Sequence, residues 1–196
     1  MTKKVSNAIK LFLFVAVIPA FIISCGGSKE VTKKKGETLI ENYCSGPEYF
    51  SDGEYFRANN IGESVDQSMA KRKAMSNARA DMAGQIEVVV SGTIDNYFES
   101  HEVNNTEEAK ERYEGITREV FRQKLNGVRT ICEKFTRTDQ GKYKCYVAIE
   151  LAGDEIMNAM NQRLSQDAKT RLDYDYEKFK ETYQKEMEEM KNQKGY

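Results

Sequence analysis

Tryptophan is absent from the 196 residues, histidine occurs once and proline twice. His101 alone, with no C-x-x-C pair, leaves zinc without a ligand set. No glycine-rich loop is present to cradle a phosphate. Gly26-Gly27 belongs instead to a tether-like stretch, and no cofactor is expected. Neither sign of charge dominates: 30 Lys and Arg stand against 31 Asp and Glu, which gives no basic bias toward nucleic acid. Paired carboxylates for acid–base work are also missing. Asp52 with Glu54 reads as a turn, and Asp173 with Asp175 as a helix surface. His101, between Glu99 and Glu102, reads as a solvated loop residue. No catalytic residue is therefore assigned, and an enzyme is the least favoured class.

The N-terminus carries the clearest signal. Lys3, Lys4 and Lys10 precede an apolar run, Leu11 to Ile23, of 13 residues. That is short for a membrane span and right for a signal-peptide core. The run closes in Ser24-Cys25-Gly26, a small residue before a cysteine, which looks like a bacterial lipobox. The resemblance implies cleavage before Cys25 and acylation of that cysteine. Several acyl chains on one residue make a stable anchor, at roughly 0.8 kcal/mol per buried methylene. Loss of residues 1–24 removes three lysines and no acid, so the formal charge moves from −1 to −4. Residues 25–40 then form a lipidated tether.

A lipoprotein matures where disulfides are permitted. Cys44, Cys132 and Cys145 allow one bond and one leftover thiol. Cys132 and Cys145 flank the turn Thr138 to Gly141, which places residue 132 opposite about residue 148. Three residues of offset are about 10 Å along a strand, too far for a bond unless the register slips. Cys44–Cys132 is the favoured pair, with Cys145 as the alternative partner.

An α+β domain is expected over residues 41–157: a small sheet of about four strands, including a C-terminal hairpin, covered by two helices. Tyr55-Phe56-Arg57-Ala58 starts the first strand, ending near Ile61-Gly62. Ser64 and Gln67 have the spacing of a capping box. Ala70, Ala74, Ala78, Met82 and Ile86 follow at steps of four, a ridge of mostly small side chains that lets a helix lie close to a sheet. Glu87-Val88-Val89-Val90, continuing to Ile94, reads as a buried strand. Lys71-Arg72-Lys73 suits an anionic ligand by type, but splaying around a helix favours a solvated face. A second helix begins at Thr106, with Ala109, Tyr113, Ile116 and Val120 as its stripe, and stops at Asn126-Gly127. Val128 to Arg137 and Lys142 to Leu151 form the hairpin, with Cys145, Val147, Ile149 and Leu151 facing the core.

Residues 158–196 read as one long charged helix, capped by Asp154 and without Gly or Pro until Gly195. Its apolar stripe runs from Met160 to Met190 with a period of about 3.75 residues, too long for a left-handed heptad zipper. About 40 residues make a rod of roughly 60 Å, longer than the domain. It must project, or fold back at a break the sequence does not show. Leu172, Tyr176, Phe179, Tyr183, Met187 and Met190 are then the expected partner-binding face, for self-association or an envelope protein.

The order strand, Ala-spaced helix, Val-rich strand, helix and closing hairpin, behind a lipobox, resembles one family. It is that of small outer-membrane lipoproteins sharing their domain with the N-terminal part of flagellar assembly protein T. The residues carrying the resemblance are Tyr55 to Ala58, Gly62-Glu63-Ser64, the frame Ala70, Ala74, Ala78-Arg79, Met82-Ala83 and Ile86, and Gly141-Lys142-Tyr143 through Val147 to Glu150. It covers about residues 44 to 157. The resemblance implies an α+β domain held at an outer membrane, with no catalytic residues. The long C-terminal helix and the cysteines depart from it. Two functions follow as expectations: a lipid-anchored structural or interaction protein, or a binding module for a cell-wall polymer or small envelope ligand.

Overall fold

The structure, a computed structural model, describes residues 40, 42–100, 106–167, 170 and 174–193. Three antiparallel strands form its sheet: β1 (Tyr55–Ser64), β2 (Arg129–Arg137) and β3 (Tyr143–Ala152), in the order β1-β3-β2. The hairpin is present, and the expected fourth strand is not a strand. Residues Glu87 to Ile94 continue the first helix, α1 (Gln67–Glu99), for 33 residues in all. Three consecutive valines lower helix propensity by only about half a kcal/mol each, and packing decides otherwise. The step-of-four row does not stop at Ile86 but runs on through Val90, Ile94 and Phe98, all buried, joined by Val89, Thr93 and Tyr97.

A step of four overshoots the 3.6-residue turn by about 40°, so this row winds around α1. Its first half faces the sheet. Gly62 of β1 meets it there: a Cβ on Gly62 would stand 2.2 Å from the Ala70 carbonyl oxygen and 2.5 Å from the Ala74 nitrogen. The second half of the row faces helices instead. The cap is also displaced from the expected Ser64, which ends β1. Asp66 is the N-cap, its Oδ1 accepting from Met69 N–H at 2.8 Å.

Helix α2 (Thr106–Lys124) starts where Thr106 predicted and ends in a 3-10 turn, Leu125–Gly127. Beyond β3 the expected single rod is two helices, α3 (Gly153–Gln166) and α4 (Tyr176–Gln193). The break needs neither Gly nor Pro. Asp167 leaves the helical region at α3's C-cap, and its Oδ1 accepts from Thr170 N–H at 3.2 Å. Asp175 Oδ1 accepts from Lys178 N–H at 3.2 Å, the bond of an N-cap. Asp175 is thus a helix start, not the helix surface expected from its pairing with Asp173.

The correction reaches the tail's role. Phe179, Tyr183, Met187 and Met190 are all buried in the core with α1. Tyr97 of α1 and Phe179 stand edge-on with ring centroids 5.2 Å apart, and Tyr97 Oη accepts from Asp175 N–H at 2.8 Å. The buried part of the stripe therefore packs on this chain's own α1. Ile40–Tyr196 forms one compact unit, so the boundary expected near residue 157 does not exist.

Candidate functional site

Residues 42–54 form a strap across the outer face of the sheet. Cys44 is bonded to Cys132, and Tyr43 meets Tyr146 edge-on at 5.3 Å. Cys132 stands opposite Ala148, as the turn position predicted, with a bulge between Thr130 and Cys132. Cys145 is a free, buried thiol on the other face, and burial pushes its pKa up, which keeps it unreactive. The strap also explains why Ala148 and Glu150, on the outer face, are buried.

A charge network holds the strap's far end. Glu150 accepts from Arg57 Nε at 2.7 Å and pairs with Arg129 on its other oxygen. Arg57 Nη1 also donates to Asp52 Oδ2 at 2.6 Å and to the Phe50 carbonyl at 2.9 Å. Asp52 Oδ1 takes the N–H groups of Glu54 and Tyr55. Burial alone would raise both carboxyl pKa values. For Glu150 the bonds from Arg129 and Arg57 outweigh it; for Asp52 the Glu54, Arg57 and Tyr55 bonds do, so both lie below the ordinary carboxylate range.

Between the strap, the open edge of β1 and the middle of α1 lies a cleft of about 640 Å³. Tyr49, Phe50 and Ser51 form its strap wall, Arg57 to Asn59 its floor, and Ala80, Asp81, Gly84 and Gln85 its α1 wall. At the floor, the Arg57 N–H donates to Ser51 Oγ at 2.8 Å, and Gln85 Nε2 donates to the Arg57 carbonyl at 3.1 Å. The Ser51 hydroxyl completes the ring by donating to Gln85 Oε1 at 2.6 Å. These bonds seal the sheet edge at Arg57 and fix both cleft walls. Phe50 is 39% exposed and supplies an aromatic face at the mouth. Asn59 and the Asp81 carboxylate, which accepts from Asn60 Nδ2 at 2.8 Å, supply polar groups.

The cleft offers an aromatic face and hydrogen-bonding side chains. Arg57's charge is spent on Asp52 and Glu150, which leaves Asp81 as the cleft's own charge. Among the described residues no group of three His, Cys, Asp or Glu side chains is placed to hold a metal. Tyr49, Phe50, Tyr55 and Phe56 lie close together in sequence around the strap's end. Only Phe56 is fully buried, and Phe50 turns outward. The signal for the cleft was indirect: Arg57 between apolar Phe56 and Ala58, shortly after the Asp52-Gly53 turn. Of the other expected site residues, Tyr176 is half-buried, while Cys25 and Leu172 lie outside the described residues, as does the expected loop residue His101.

No protein-family model, curated protein or solved structure matches this chain. Among the described residues no helix is long and apolar enough to cross a membrane.

Proposed function

We propose that the chain is a lipid-anchored, non-catalytic protein of the bacterial cell envelope that binds a sugar-based cell-wall polymer or a small polar ligand in the strap cleft. Cys25 is the proposed lipidation site, and the outer membrane the proposed location. Kinship with the small outer-membrane lipoproteins remains part of the proposal, although helical Glu87 to Ile94 removes one strand from the order that suggested it.

The observation that carries the reading is the cleft itself: an exposed aromatic ring set against amide and carboxylate side chains on a hydrogen-bonded floor. The apolar C–H face of a pyranose packs on an aromatic ring, while its hydroxyls reach planar amides and carboxylates. A site of this size with a few convergent polar groups suits a ligand of one or two sugar units. Asp81 disfavours an anionic ligand and favours a neutral or amino sugar. Presentation of the C-terminal helix to a partner loses its motive, because that helix's apolar stripe is buried.

The test is co-sedimentation of the chain from Gly26 onward with insoluble cell-wall polymer. Phe50→Ala and Asp81→Ala, both at exposed positions, are expected to abolish retention without changing the melting temperature. Equal retention of wild type and both variants rejects the cleft as the site.

A further inference from the structure

The flank of α1 turned away from the strap cleft carries a second surface. Ser68, Lys71, Arg72, Met75, Ser76 and Arg79 line a cleft of about 550 Å³, and none of them is acidic. It opens toward β2, where Lys71 Nζ meets Glu133 at 2.7 Å and Met75 Sδ accepts from the Thr130 hydroxyl at 3.9 Å. Lys71 is thus neutralised. Arg72 and Arg79 are exposed and have no acidic partner among the described residues. They stand seven residues apart on one side of the helix, about 10 Å along its axis. A guanidinium presents a fork of N–H donors that matches phosphate oxygens.

The same line continues toward the helix start with apolar side chains. Met69, three residues before Arg72, is 39% exposed, and Val65 just ahead of the helix is 78% exposed. Two unpaired arginines with an exposed apolar tip have the makings of an interfacial helix face: cations at the level of phosphates, apolar groups below them. In a chain of net charge −1 this basic flank is a local asymmetry.

We propose that this flank docks the domain on an anionic phospholipid surface. Arg72 and Arg79 contact headgroup phosphates, and Val65 and Met69 enter the boundary with the acyl chains. A lipid on Cys25 would raise the effective concentration of the flank at the membrane. Fourteen residues, Gly26 to Leu39, reach at most about 50 Å when extended, so any face of the domain can be laid down. The contact is independent of the cleft proposed for envelope ligands.

The experiment uses the chain from Gly26 onward, which lacks the apolar run and the lipid. It is sedimented with vesicles of phosphatidylglycerol and, separately, of phosphatidylcholine, at low and high salt. Binding to phosphatidylglycerol alone, weakening as salt rises, is expected. Arg72→Gln with Arg79→Gln should weaken it about twenty-five-fold, at roughly fivefold per cation. Val65→Ser with Met69→Ser, which keeps both arginines, should weaken it as well. Phe50→Ala, which alters no charge, should leave it unchanged, which separates this surface from the strap cleft. Several results would overturn the proposal: no binding to phosphatidylglycerol at low salt, equal binding to both lipids, or full binding by the double-arginine variant. Soluble polyphosphate that binds as tightly and strips the protein from vesicles would also overturn it, in favour of a free polyanion.

Discussion

The Tyr183 hydroxyl donates to the Gly153 carbonyl oxygen at 3.0 Å, buried and 30 residues apart in sequence. This bond ties α4 to the first residue of α3, at the point where β3 ends. Burial pushes the Tyr183 pKa up, so the phenol remains a neutral donor throughout the working pH range. Tyr183→Phe leaves the Gly153 carbonyl without this donor and is expected to cost about 0.5–1.5 kcal/mol. Phe179→Ala, which also opens a void beside Tyr97 and Tyr113, is expected to cost about 3–5 kcal/mol. Urea denaturation measures both. Unchanged midpoints would mean that α4 is not part of the cooperative unit.

Val88 and Val90 distinguish helix from strand. On a strand the two share a face. On α1 they do not: Val88 is 64% exposed and Val90 is 3% exposed. Val88→Lys should change stability by less than about 0.5 kcal/mol. Val90→Lys buries a charge without a partner and should unfold the domain or cost several kcal/mol. Similar losses at the two positions would restore the strand reading.

Gly62→Ala is expected to destabilise the fold by about 1–3 kcal/mol, since the new methyl lands on the α1 backbone rather than on a movable side chain. Thermal melts of this variant check how closely α1 lies on β1. A melting temperature equal to wild type would show that helix and strand can separate at little cost.

Acid should loosen the strap. Glu150 and Asp52 have folded pKa values below their ordinary 4.5 and 3.8. A carboxylate depressed on folding stabilises above its unfolded pKa, and that contribution fades as pH falls through the folded value. Stability should therefore drop as pH falls below about 4.5, and Glu150→Gln should flatten that drop. The same variant should cost about 1–3 kcal/mol at neutral pH by leaving Arg57 and Arg129 without their shared anion. An unaltered acid limb of the stability curve would place the titration elsewhere.

Non-reducing peptide mapping should recover Cys44 joined to Cys132, with Cys145 labelled only after unfolding. Cys132→Ser reopens a loop of 88 residues and is expected to cost about 2–5 kcal/mol. A Cys132–Cys145 peptide would contradict the hairpin register.

Local chemistry decided much of this molecule from sequence alone. The hairpin followed from β-branched alternation around Thr138 to Gly141. The start of α2 followed from Thr106 and its stripe. The Ala70-to-Ile86 row followed from small side chains at steps of four. The turn position also argued against a Cys132–Cys145 bond, since it sets Cys132 opposite residue 148, but it left Cys44 free to pair with either cysteine.

What escaped the sequence was every choice that depends on a distant partner. Val88 to Val90 suit strand or helix nearly equally by propensity; the presence of α4 and α2 around the second half of α1 makes the helix bury more. The tail's stripe looked unpartnered because its partner, the winding row on α1, was hidden inside the segment taken for a strand. One misassigned element thus produced two errors, a missing helix surface and a projecting rod. The strap cleft was illegible for the same reason. Its walls come from residues 49–51, 57–59 and 80–85, and only tertiary packing brings them together.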